Sequence, residues 1–305
     1  MNKIVSIVLF LLIAGLIWFF FVKQYDYEFQ FETQYGQGVA FREISHWKEL
    51  NKEYSKLEQT GVREFDAISQ SLQTENARLD FLWNFESDTD SITKVKVWVR
   101  SNKDRFKNRF QILNPFAENG FIDSIKTDML DLMKNLKKQQ SAYSVKLEDS
   151  LKMSPAFDCI CHHSEAILVQ SKAMEMVQTI GYLEEYVLDH QLKLTGNPFV
   201  KITAWDRQND IVDFDFCFPV NLAQDIRPEG KVEFRQVPSS LSLQAVFHGN
   251  YRISDLAWYD LMAQARAQNL KTSALPLEIF YNNPKTDIHA PQWRADVFLP
   301  VSDQP

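Results

Sequence analysis

Between about residue 155 and residue 302 the chain repeats its own pattern, and this constrains its fold more than any other feature. Cys159-Ile160-Cys161-His162 lines up with Ala245-Val246-Phe247-His248. A helical pattern follows each: Ile167 to Leu194, with Val169, Ala173, Met176, Ile180, Leu183 and Val187 on one face, and Ser254 to Asn269. Val200-Lys201-Ile202 then matches Leu277-Glu278-Ile279, and Asp215-Phe216-Cys217-Phe218-Pro219-Val220 matches Asp296-Val297-Phe298-Leu299-Pro300-Val301. Each copy reads strand, helix, strand, strand, with Gly196-Asn197-Pro198 or Leu275-Pro276 ending the helical region. One such unit cannot bury its own apolar face. Two side by side make an α+β domain, one antiparallel sheet carrying two helices, with a groove along the pseudo-twofold axis.

Glu278 breaks the apolar rhythm of its strand. A carboxylate there must be paired, protonated or turned to a cleft, because burying it alone costs several kcal/mol. The alignment puts Lys201 at the equivalent position, so one expectation is an internal Lys201–Glu278 pair. The other is a carboxylate open to a guest cation, with Trp205, Trp258 and Tyr281 adding cation–π contacts worth about 0.5–2 kcal/mol each.

The run Glu278-Ile279-Phe280-Tyr281-Asn282-Asn283-Pro284, with Gly249, Tyr251 and Trp258 before it, resembles the second half of a GyrI-like effector-binding domain. The resemblance covers nearly all of 155–302. It implies a lipophilic, often cationic, small molecule held over a strand glutamate in an aromatic groove. Carried to this sequence, the expected ligand-binding residues are Glu278, Trp258, Tyr281, Trp205, Lys201, Phe280 and His248. The resemblance also admits a hydrolase, with Glu278 as general base toward a strained or electrophilic substrate, and a structural module with a degenerate groove. No cofactor is implied.

Ile4 to Val22 is apolar except for Ser6 and Gly15. That is about the 20 residues a helix needs to cross a bilayer. The run ends in Trp18-Phe19-Phe20-Phe21, suited to the membrane interface and unlike a small-residue cleavage site. Lys3 on one side, against Lys23 followed by Asp26, Glu28 and Glu32 on the other, places the amino terminus in the cytoplasm and the soluble domains outside. The expected division is 1–24 transmembrane anchor, 25–150 first domain, 151–305 second domain.

In the first domain, Tyr25, Tyr27, Phe29 and Phe31 alternate with polar residues as in a half-buried strand. Gly36-Gln37-Gly38 breaks the strand, and Val39 to Leu57 reads as one or two short helices around Trp47. Alternation resumes at Leu79–Phe85, Lys94–Arg100 and Phe106–Leu113, and a long helix opens at Gly120 with Ile122, Ile125, Met129, Leu132, Met133 and Leu136. This order resembles a START-like (polyketide cyclase, SRPBCC) helix-grip domain, which implies an apolar cavity or a docking surface.

With 33 Lys and Arg against 40 Asp and Glu, the net charge of −7 argues against a nucleic-acid partner. Any signalling output would pass through a protein partner. Cys159, Cys161 and Cys217 read as buried free thiols. Cys159, Cys161 and His163 share one strand face, but the spacing does not suit zinc, and no metal is expected.

Overall fold

The computed structural model describes residues 2–47, 57–73, 78–89, 91–103, 105–113, 120–140, 142–221 and 227–302. These form two compact units, the first made of Met1–Gln34, Ala40–Asp88 and Ile92–Lys137, the second of Tyr35–Val39, Thr89–Ser91 and Lys138–Pro305.

The first unit opens with α1 (Asn2–Ile17), which widens into a π turn over Trp18–Val22. Ile4–Val22 is long and apolar enough to cross a membrane, and none of it is buried. Then come β1 (Tyr27–Thr33), α2 (Gln37–Ser45), β2 (Leu57–Arg63), β3 (Ala67–Gln73), β4 (Arg78–Thr89), β5 (Ile92–Ser101), α3 (Arg105–Leu113) and α4 (Gly120–Gln140). The sheet order is β1-β5-β4-β3-β2. Period-two burial is strict in β5, where Val95, Val97 and Val99 are each 0% exposed, and β4 turns Phe81, Trp83 and Phe85 inward. The long helix from Gly120 forms as expected and buries Ile125, Met129, Leu132 and Leu136. Phe106–Leu113, expected as a strand, is helix α3. Its apolar positions Phe106, Phe110 and Leu113 fit a helical spacing, which outweighs the short alternation.

The second unit starts before the expected boundary at 150. β6 (Tyr143–Leu147) and β7 (Lys152–Met153) both pair with β12. The repeat then appears as expected: β8 (Phe157–Leu168), α5 (Lys172–Asp189), β9 (Phe199–Asp206), β10 (Ile211–Pro219), and after β11 (Glu233–Val237), β12 (Leu241–Gly249), α6 (Leu256–Ala267), β13 (Leu277–Phe280) and β14 (Arg294–Pro300). The sheet runs β11-β8-β10-β9-β13-β14-β12-β6. Its central six strands read 1-3-2 and then 2-3-1 of the two copies, so the pseudo-axis lies between β9 and β13, which pair antiparallel.

Register corrects the sequence alignment by one residue. Phe216 opposes Val200, and Val297 opposes Glu278, so with β10 and β14 superposed the counterpart of Glu278 is Val200, not Lys201. Glu278 and Val200 also face each other across the axis. A one-residue step in a strand moves a side chain to the opposite face, so Lys201 points away from Glu278, beside Leu277 and Asp215.

Gly249 is required where β12 pairs with the start of β6. Its φ is +151°, and a Cβ there would lie 2.6 Å from the Tyr143 Cβ.

Candidate functional site

β13 is buried along its whole length at the centre of the sheet, so Glu278 is held with no access to solvent (0% exposed). Each repeat brings one further group to it by the same local device. β8 and β12 both run into a three-residue 3-10 turn, Val169–Ser171 and Tyr251–Ile253. The residue after each turn is Lys172 in one copy and Ser254 in the other. These two pseudo-equivalent residues meet, the Lys172 Nζ donating to Ser254 Oγ at 3.1 Å. Both donate to the same carboxylate oxygen, Glu278 Oε2, the hydroxyl at 3.1 Å and the ammonium in a very short contact. Trp258, in the first turn of α6, donates its Nε1–H to Oε1 at 2.6 Å. The Lys172 ammonium also lies 4.5 Å from the centre of the Trp258 ring. Lys172 is itself 0% exposed.

A buried charge pair of this kind is stable only when its remaining hydrogen-bonding capacity is met. The carboxylate here accepts three bonds, and the ammonium has a carboxylate, a hydroxyl and an aromatic face. The arrangement is that of a cation bound over a glutamate and a tryptophan, with the cation supplied by the chain.

Other residues expected at this place divide between the two sheet faces. Trp205 reaches the Trp258 side, with ring centres 5.1 Å apart and perpendicular, and touches Tyr259 at 5.5 Å. It is only half-buried, yet its Nε1 is shielded from solvent and has no hydrogen-bond partner among the described residues, as is also true of Thr203 Oγ1. Phe280 shares the face of Glu278 and packs on Tyr251 with ring centres 4.6 Å apart. Burial holds the Tyr251 phenol up at about 12.

Tyr281 is on the opposite face. Its hydroxyl donates to Asp296 Oδ2 at 3.0 Å, and the Arg294 guanidinium lies 4.7 Å from its ring. Burial, and then the Asp296 charge, push the Tyr281 phenol up. His248 opposes Arg294 in the register and alternates onto that same far face. Lys172 is the residue sequence reasoning missed. Of the expected helix face, Leu183 is buried, but Ala173, Met176, Ile180 and Val187 are only half-buried, and the buried stripe is Lys172, Thr179, Leu183 and Tyr186. Spacing of 7, 4 and 3 puts Lys172 on that stripe, and this is the one signal that marked it.

The free-thiol reading is corrected for two of the three cysteines. Cys161 and Cys217 stand directly opposite in β8 and β10, with Cα atoms 4.0 Å apart, and form a disulfide. Cys159 stays a buried thiol with its Sγ 3.5 Å from that of Cys161. Burial, with the charges of Asp215 and Asp158 adding to it, raises its pKa to about 12. All three sulfurs lie within 4.8 Å of one another, but two are committed to the disulfide.

The fold is thus an α+β one with two antiparallel sheets and one apolar amino-terminal helix, and its second unit encloses a buried Lys172–Glu278 pair with its hydrogen bonds met. No known family matches the chain, and no curated protein matches it. Among solved structures, it is similar to the EcmrR C-terminal domain, at 19% identity and a TM-score of 0.45 over 53% of this chain and 99% of that one. It is also similar to SAV2435 bound to tetraphenylphosphonium (13%, TM-score 0.35, 52% and 94%). A third is a hydrolase from Listeria innocua (11%, TM-score 0.32, 55% and 98%). At such scores none of these likenesses says what this chain binds or does.

Proposed function

We propose that the chain is a membrane-anchored small-molecule-binding protein whose second unit is GyrI-like and takes a lipophilic guest beside Trp205 and Trp258. In this reading Lys172 occupies the place a guest cation would take. The observation that carries it is the Lys172 ammonium set between the Glu278 carboxylate, the Ser254 hydroxyl and the Trp258 ring. Since the carboxylate is already neutralised, the guest is expected to be neutral, or to displace Lys172 at a cost. Trp205 Nε1 and Thr203 Oγ1 are donors left for an acceptor on that guest. A general-base role for Glu278 gains no support, because three donors already occupy its oxygens and it is shut off from bulk solvent.

The first unit, in this proposal, is a START-like helix grip, and Ile4–Val22 anchors the chain. The Cys161–Cys217 disulfide supports placing the soluble units on the oxidising side of the membrane.

The test is tryptophan fluorescence and melting temperature of the full chain in nanodiscs, titrated with triphenylphosphine oxide and with tetraphenylphosphonium. The neutral oxide should quench saturably and raise the melting temperature. The cation should bind at least about tenfold more weakly, a difference of about 1.4 kcal/mol. Equal affinity for both contradicts the role of Lys172, and a flat response to both contradicts guest binding.

A further inference from the structure

At the carboxyl end of the apolar amino-terminal helix, Arg109 of α3 is buried to 1% exposure. Its guanidinium donates to four acceptors: Nη1 to the carbonyls of Phe19 (2.6 Å) and Phe20 (2.8 Å), Nη2 to that of Lys23, and Nε to Asp26 Oδ1 (2.7 Å). These three carbonyls lie at the carboxyl end of the helix, so a fixed cation suits the place both as donor and as charge against the helix dipole. Asp26 is fixed in turn by the Ser101 backbone N–H at 3.2 Å. α3 is therefore fastened to the end of the apolar helix through backbone atoms, and its outer face cannot turn away.

That outer face is apolar. Phe106 and Phe110 are 57% and 69% exposed, and four residues apart they lie on one side of α3. Phe106 continues the aromatic end of the apolar helix directly: it stacks on Phe20 with ring centres 5.9 Å apart and meets Phe21 edge-on at 5.2 Å. Lys103 and Lys107, both exposed, flank the phenylalanines. Ile4–Val22, 19 residues long, spans roughly 30 Å as a helix, about the thickness of the hydrocarbon layer. Phe20 and Phe21 therefore reach the interface, and whatever is stacked on them lies at the same depth.

We propose that the Phe106–Phe110 face of α3 is a second membrane contact, an interfacial footing that rests in the headgroup region of the bilayer crossed by Ile4–Val22. The partner is the lipid surface itself. Phenylalanine is taken up by the acyl boundary, and Lys103 and Lys107 meet lipid phosphates. Together with the Arg109 clamp, the footing gives the first unit a fixed orientation on the membrane in place of a swivel on a single helix. The inference rests on the membrane-anchor reading above.

The experiment uses the full chain with one nitroxide-labelled cysteine at a time, Phe110→Cys, Ile13→Cys or Gln59→Cys, in phosphatidylcholine–phosphatidylglycerol vesicles. Unsubstituted protein controls for labelling of the native cysteines. Accessibility to oxygen and to a water-soluble nickel complex reads the depth of each label. The Ile13 label should lie deep and the Gln59 label in water, with the Phe110 label about 5–10 Å inside the headgroup boundary. A Phe110 label as wet as that at Gln59, with Ile13 still deep, overturns the footing and leaves the anchor. An Ile13 label outside the bilayer overturns both.

Discussion

Two buried ion pairs, one in each unit, show how differently the same device can be used. In the first unit, Arg109 and Asp26 are held by three backbone carbonyls and a backbone N–H besides each other. In the second, Lys172 and Glu278 are held by side chains alone, Ser254 and Trp258. Backbone partners remain when a pair is removed and go on demanding a donor or an acceptor. Side-chain partners can be replaced. The first pair is therefore a clamp on chain geometry, whereas the second, in the function proposed above, is a filled site with a substitutable occupant.

The largest expected effect is at the clamp. Arg109→Met leaves Asp26 buried without its counter-charge and deprives three carbonyls of a donor, so a loss of about 3–5 kcal/mol or more is expected in chemical denaturation. Adding Asp26→Leu should not restore it, because the carbonyls still lack the guanidinium that Arg109 gave them. Lys172→Met should cost about 3–5 kcal/mol by the same loss of counter-charge, but here the double variant Lys172→Met/Glu278→Leu should return most of it. Recovery at the first pair, or none at the second, would erase the distinction drawn between them.

Trp258→Phe keeps the ring under the ammonium and removes one donor to Glu278, an expected loss of about 1–3 kcal/mol. A smaller effect is the slope of stability at alkaline pH. The Cys159 thiol titrates near 9 when exposed and at about 12 in the fold. The unfolded chain thus releases the proton first, so this thiol's contribution to stability is constant below pH 9 and is lost progressively between 9 and 12. Tyr251, raised from 10 to about 12, adds to the fall above pH 10. Cys159→Ala should flatten the slope between pH 9 and 10 in thermal melts. Smallest of all is Trp205→Phe. Its Nε1 bonds nothing among the described residues, so stability should hold while affinity for triphenylphosphine oxide drops by about 0.5–1.5 kcal/mol, one hydrogen bond's worth.

The doubled strand–helix–strand–strand order was legible in the sequence because it rests on hydrophobic period and turn residues, which act locally. Glu278 was legible because an acid in an apolar strand demands an explanation. Its partner was not, because pairing depends on register. Judged by letters, Lys201 aligned with Glu278, and the ladder moved it by one residue to the opposite face. Lys172, at the start of a helix, looks in sequence like an ordinary solvated lysine, and only the packing of α5 buries it. The disulfide was hidden for the same reason, since Cys161 and Cys217 lie 56 residues apart and are joined only by the β8–β10 register. α3 reads as a strand in sequence because a nine-residue amphipathic segment satisfies both periods in part.

Whether Lys172 acts as a tethered cation in a ligand-type site is tested by chemical rescue. The melting temperature of Lys172→Met in nanodiscs would be followed against n-butylammonium, with n-butanol as the neutral control. The expected result is a destabilised variant whose melting temperature rises saturably with the amine and not with the alcohol, while the unsubstituted protein responds to neither. A variant as stable as the unsubstituted chain, or one that the amine leaves unchanged, would contradict it.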